Sequence, residues 1–250
     1  MMASLKSELR KIYTVRSTYA VLLFSFVLMM IFAFWIEGYK AGNGSSAATD
    51  PNKLAILLLD AITNLAFWGG IVGMLSATHE YRYNTIMYTL TASSSRSQSL
   101  LAKVISISIF AVLFAIFVTI FAGVLMYAGL AIKGLSLSHQ VVPVDIIWRI
   151  LFVSWGYSMV GLLLGVAIRH QIGAFVAFFV LPSAFESLVG LLLKDNRIYL
   201  PFTALQQVTH LEGSDLHRML SHGRAAAVFL VYLVVGWIVA WYLFLRRDAN

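Results

Sequence analysis

Six continuous apolar runs govern what this chain can fold into. They cover residues 19–36, 54–77, 104–130, 146–168, 172–193 and 225–245. Crossing a hydrocarbon core of about 30 Å takes roughly 20 apolar residues in a helix, and the runs are close to that length. Strands of a membrane barrel would alternate apolar and polar residues over about 10 positions. These runs do not alternate, and a helix satisfies its own backbone in lipid. The expected fold is all-α, with six transmembrane helices in a single membrane domain over residues 1–250. A soluble domain of this size would need a polar shell. At 60% hydrophobic and 12% charged residues the chain lacks one, so lipid is the expected solvent.

The connecting stretches are too short for a separate soluble domain. The first run is longer than a signal-peptide core and has Trp35 near its end, so it reads as a retained span. The formal charge is +7, but the basic residues sit beside the spans, which fits a membrane surface rather than nucleic acid. Lys6, Arg10, Lys11 and Arg16 precede the first span, against only Lys40 and Lys53 in the loop after it. The positive-inside rule then places the N-terminus in the cytoplasm, and six spans return the C-terminus there. The absence of cysteine excludes disulfides, thiolate metal sites and cysteine nucleophiles.

Before the first span, residues 3–16 predict an amphipathic helix lying in the inner interface. Leu5, Leu9 and Ile12 form its apolar stripe, and Lys6, Arg10 and Lys11 lie off it. The loop 38–53 has flexible-linker chemistry. In the second run Asp60 and Asn64 share a face at i, i+4. An ionised Asp in a span is costly and offers itself for a substrate path; the bland alternative pairs it with Arg149 at the outer mouth. Gly69 with Gly73, and Gly161 with Gly165, are GxxxG pairs that allow close helix approach. Pro182 interrupts the fifth run, with Glu186 four residues on. That pattern predicts a short helix over 183–193 turning back toward the outer face, or a simple proline kink. A second short helix is expected after Pro201.

Catalytic templates are poorly matched. His79-Glu80 begins like a zinc-protease motif, but Tyr83 stands where the second imidazole must be. His210, Glu212, Asp215, His217 and His222 cluster in the last outer loop without a recognised ligand spacing. There is no phosphate-binding GxxxxGK[ST] sequence, so the chain is not expected to hydrolyse ATP alone. The loop lengths show no inverted repeat of the kind many secondary transporters carry.

The stretch 79–103, HEYRYNTIMYTLTASSSRSQSLLAK, is charged and hydroxyl-rich and longer than a positive-inside loop requires. Ile86, Met87 and Leu90 form an apolar stripe on a short helix that ASSSRS breaks. Such a stripe at the inner face calls for a partner. The pattern Glu80-Tyr81-Arg82-x-x-Thr85, then Leu90, Ser95-Arg96 and Lys103, resembles the cytoplasmic loop of bacterial ABC-transporter permeases of the second exporter type. The six-span layout and the N-terminal interfacial helix are similar to that family, as are LPSAFESLVGLLL and YLPFTALQQV around the fifth span. Asn84 stands where the family usually has Gly, and Ser94 where it often has Pro.

The resemblance implies a non-enzymatic transport subunit in the bacterial plasma membrane, exporting a hydrophobic or amphipathic compound. It implies a second permease copy, or a related one, and separate ATPase subunits that bind ATP and Mg; no cofactor is expected in this chain. Glu80, Tyr81, Arg82, Thr85 and Arg96 are the expected coupling residues, and Asp60, Asn64 and Glu186 the expected path or outer gate. The alternative is a secondary transporter or channel using Asp60 and Glu186 as ion or proton sites.

Overall fold

A computed structural model describes residues 2–40, 53–88, 95–132, 134, 144–209 and 219–246. Among them every regular element is helical and there is no strand. Helix α1 (Met2–Thr14) buries Ile12 and half-buries Leu5 and Leu9, with Lys6 and Arg10 exposed, as its stripe predicts. Val15 is extended (φ −80°, ψ 120°) and separates α1 from α2 (Arg16–Met29), which continues in wider π-type turns over Met30–Lys40. Then come α3 (Lys53–Arg82), α4 (Arg96–Ile132) and α5 (Val144–Ile168). Helix α6 (Gln171–Val180) passes through π-type turns at Leu181–Phe185 into α7 (Glu186–Leu193). A 3-10 stretch (Lys194–Tyr199), the short α8 (Pro201–Gln207) and α9 (His222–Arg246) complete the order.

Among the described residues, five helical segments are long and apolar enough to cross a membrane: Arg16–Ile36, Arg96–Ile132, Asp145–Ile168, Gln171–Tyr199 and His222–Arg246. Their outward faces fit lipid rather than water. Leu23, Val27 and Ile31 of the first, and Val231, Val235 and Ile238 of α9, are all exposed. At 37 residues, α4 would be about 55 Å long. That exceeds the core thickness, so part of it stands outside the hydrocarbon or the helix tilts.

The centre of the bundle is the α3–α5 crossing, and glycine makes it possible. A Cβ placed on Gly161 would lie 1.9 Å from the Gly70 carbonyl oxygen. One on Gly73 would lie 2.3 Å from the Ser158 oxygen, and one on Gly165 2.8 Å from that of Met74. Gly73, Gly161 and Gly165 therefore each meet backbone of the facing helix within one chain, while Gly69 faces the Ser158 hydroxyl and the Phe114 ring. Phe67 lies beside this crossing with its ring 4.5 Å from that of Phe178 on α6, and Tyr157 stacks on Phe202 of α8 at 6.3 Å.

Long-range contacts gather helix ends at one pole, the foot. Arg82 Nη1 donates to Gln171 Oε1 at 2.9 Å, joining the end of α3 to the start of α6. Arg96 Nη1 donates to the Leu245 carbonyl at 3.3 Å, joining the start of α4 to the end of α9. At the head, Asp145 accepts from Trp148 Nε1 (2.6 Å) and from Arg149. Arg149 also meets His222 Nε2 at 3.0 Å, tying α5 to α9.

Candidate functional site

At the foot, the amphipathic helix brings an acid where its stripe should be apolar. Glu8 falls between Leu5 and Ile12 on the buried side of α1. Burying a lone carboxylate is prohibitive, and the fold answers with Lys103, the residue just before the third apolar run. Lys103 Nζ donates to Glu8 Oε2 at 2.8 Å and to Glu80 Oε1 at 2.6 Å. Lys11 Nζ meets Glu8 Oε1 at 2.6 Å and Glu80 Oε1 at 2.5 Å. The result is a junction of two acids and two bases joining α1, α3 and α4. The Lys103 side chain is only 2% exposed, and those of Glu8 and Glu80 are 6% and 5%.

Such a junction adds little net stability, because desolvation offsets most of the attraction. Removing one member is a different matter, since it strands a buried charge at a cost of about 3–5 kcal/mol. The geometry therefore fixes where α1 sits. Burial alone would raise the Glu80 carboxyl; the ammonium groups of Lys103 and then Lys11 outweigh it and hold the carboxyl below its ordinary value. Burial, reinforced by the charge of Arg82, lowers the neighbouring His79 imidazole.

One turn further, α3 ends in a Schellman cap. The Thr85 amide donates to the Glu80 carbonyl (2.9 Å) and the Asn84 amide to that of Tyr81 (3.3 Å). Asn84 occupies the left-handed region, with φ 52°. Glycine is best there and asparagine is among the best-tolerated alternatives, so Asn84 in the usual place of Gly keeps the turn. Arg82, the last residue of α3, and Thr85, within the cap, are both exposed. Tyr81 is half-buried, with the Arg169 guanidinium 5.3 Å from its ring centre.

The insert begins with one helical turn at 86–88, in which Ile86 is buried while Met87 and Tyr88 are exposed. Leu90 and Ser94 lie outside the described residues. The Ser95 hydroxyl accepts from the Gln98 amide at 3.2 Å and caps α4. Glu80, Tyr81, Arg82 and Thr85 thus lie together. Arg96 is at the same pole, tied to α9.

The expected path residues lie on two elements, Asp60 and Asn64 on α3 and Glu186 at the start of α7. Asn64 is exposed on α3. Asp60 is in the same helix, but its side chain is outside the described residues. Arg149, the partner considered for it, is held by Asp145 and His222. Of the histidine-rich outer loop, residues 210–218 lie outside the described residues, and no cluster of three metal-ligating side chains occurs among the described ones.

Glu186 sits 16 residues before its main partner. Its Oε1 accepts from the Phe202 amide at 2.6 Å, and Oε2 from the Thr203 amide (2.8 Å) and hydroxyl (2.9 Å). The carboxylate therefore caps the first turn of α8, where the orphan amides and the helix dipole favour an anion. The chain reverses to reach it: Lys194 is left-handed (φ 50°) and ends α7. The fifth run stays helical from Gln171 to Leu193, passing Pro182 in π-type turns as a kink would, and the chain turns back only after it, at Lys194, not within 183–193 as the broken-helix expectation had it. Between α7 and the returning segment opens a cavity of about 1010 Å³, lined by Glu186, Arg197, Thr203, Gln206 and Gln207 among others.

Glu8, Lys11 and Lys103 were not apparent as a site in the sequence. One signal was available, an acid on an otherwise apolar stripe, which demands a buried base. Compared with known proteins, the chain matches no family model and no curated protein.

Proposed function

We propose that the chain is the membrane-spanning permease subunit of an ATP-driven exporter, moved by ATPase subunits that it does not itself contain. In this reading α3 (Lys53–Arg82) provides a sixth crossing beside the five apolar segments. The foot then faces the cytoplasm of a bacterial cell, and the segment from Arg82 through the insert is the coupling handle. A second permease copy, or a related one, completes the path for a hydrophobic or amphipathic compound.

The carrying observation is the buried junction of Glu8, Lys11, Glu80 and Lys103. It locks an amphipathic helix to the foot of α3, directly beside an exposed, polar turn. A push on that turn would be delivered to α1, α3 and α4 together, as a rigid-body change of the bundle requires. Glu80 acts in this scheme as the lock, with Arg82 and Thr85 as the surface a partner would grip. The secondary-transporter reading needs Glu186 as a proton or ion site, and both its oxygens are already engaged by α8.

The test is purification from native membranes in mild detergent. An ATPase that travels with the chain, and whose activity falls on Arg82→Ala with the chain still folded, supports the proposal. Transport by the purified chain alone, driven by a pH gradient, would replace it with the secondary-transporter reading.

A further inference from the structure

A second cavity at the foot, about 460 Å³, lies between the end of α3 and the α5–α6 turn. Arg82, Arg169, His170 and Gln171 supply its polar lining and Ile172 and Phe175 its apolar lining. Tyr81 completes the lining, and no acid takes part. Arg169 holds φ 59°, a left-handed conformation that an arginine adopts at some cost. Its amide donates to the Gly165 carbonyl at 3.1 Å, closing α5, and its guanidinium lies over the Tyr81 ring. Arg82 is set by Gln171 Oε1 at 2.9 Å. His170 Nδ1 accepts from the Gly173 amide at 3.1 Å, so a neutral His170 carries its proton on Nε2, as a donor.

The cavity's apolar lining continues along α6. Ile172, Phe175 and Val176 are exposed and continue up a segment long and apolar enough to cross a membrane. Ile172 and Val176 are one helical turn apart, as are Phe175 and Phe179, so they make a continuous apolar strip. Cationic donors at the foot and an apolar strip above them match the two ends of a lipid rather than a free anion.

We propose that this cavity binds one anionic phospholipid, with Arg82 and Arg169 on its phosphate and the Ile172–Phe175 face along its acyl chain. Basic pockets between membrane helices take such headgroups. The site rests on the membrane reading of the fold and not on the ATPase.

The experiment is native mass spectrometry of the full chain in neutral detergent, titrated with dioleoylphosphatidylglycerol or dioleoylphosphatidylcholine. One phosphatidylglycerol should be retained about tenfold more tightly than phosphatidylcholine. Losing one charge-assisted contact should weaken it by a further factor of about ten. Arg82→Gln is at an exposed position, and Arg169→Gly keeps the left-handed backbone, so both variants should elute as the parent does. Arg246→Gln, elsewhere at the foot, should leave retention unchanged. Equal retention by the Arg82→Gln/Arg169→Gly double variant would overturn the site. Displacement of the lipid by equimolar inorganic phosphate would make it a free-anion site and overturn the lipid assignment. Unchanged lipid retention with loss of a protein partner would assign the two arginines to that partner instead. Absence of phosphatidylglycerol selectivity while an ATPase still co-purifies would remove this site and leave the transport reading intact.

Discussion

Replacing Gly161 by Ala should damage this protein more than its size suggests. The new Cβ would sit 1.9 Å from the Gly70 carbonyl oxygen and 2.7 Å from the carbonyl carbon. The obstacle is backbone on a facing helix, so no side chain can swing aside. Contact distances near 3.2 Å are needed, so α3 and α5 must part by roughly 1.3 Å. Atom pairs across the crossing are worth ~0.1–0.2 kcal/mol each and forfeit roughly a quarter to a half of that at such a gap. Over a few tens of pairs this is about 2 kcal/mol. Strain in the bundle adds to it, for an expected loss of roughly 2–4 kcal/mol. In lipid no hydrophobic drive between helices compensates, because packing itself holds them together. Gly190→Ala is the matched control: its Cβ would meet atoms only at 3.6 and 3.8 Å. It should be neutral or stabilise by up to ~1 kcal/mol through helix propensity. Unfolding of both variants in mixed detergent micelles, followed by circular dichroism, measures the difference. Equal midpoints would refute the backbone-contact reasoning.

Lys103→Met removes the base shared by Glu8 and Glu80; it should cost about 3–5 kcal/mol and raise amide exchange across α1, read by hydrogen–deuterium exchange. The Glu80 carboxyl is held below its ordinary value in the fold, so its contribution is present above the ordinary carboxylate range and lost as pH falls through the lower folded value. Protection of α1 should therefore persist through mildly acidic pH and disappear only below that range; loss of protection on raising the pH instead would contradict the sign. Glu186→Ala leaves the Phe202 and Thr203 amides without their acceptor and should cost about 1–3 kcal/mol, with faster exchange confined to α8 and the preceding 3-10 stretch.

Elements specified by local pattern were legible in the sequence. The Leu5–Leu9–Ile12 stripe located α1, the uninterrupted apolar runs located the long helices, and Pro201 located the short α8, whereas Pro182 marks π-type turns in a helix that continues rather than the expected break. The GxxxG pairs pointed to close packing, and both lie in the α3–α5 crossing, where their partners are Gly70, Met74 and Ser158. What was hidden depends on residues far apart in the chain. Glu8 and Lys103 pair across 95 positions, and nothing in either neighbourhood names the other. Glu186 was legible as an acid in an unfavourable place, but not as the cap of a helix beginning 15 residues later. Glu80 stood out as the start of a handle because it follows a span; its burial, and hence its work as a lock, follows from the arrival of α1 over it. Arg169 carried no signal, because its backbone conformation is set by the turn between two packed helices.

The central claim is that a separate motor grips the segment after α3. The chain contains no cysteine, so a single Tyr88→Cys variant, at a position 77% exposed on the first turn of that segment, can carry a thiol-linked photo-crosslinker without other changes. Irradiation in native membranes should join the chain to a nucleotide-binding ATPase, and excess Arg82→Ala chain should not compete for that partner. Crosslinking to lipid alone, with the ATPase demonstrably present in the same membranes, would contradict the account.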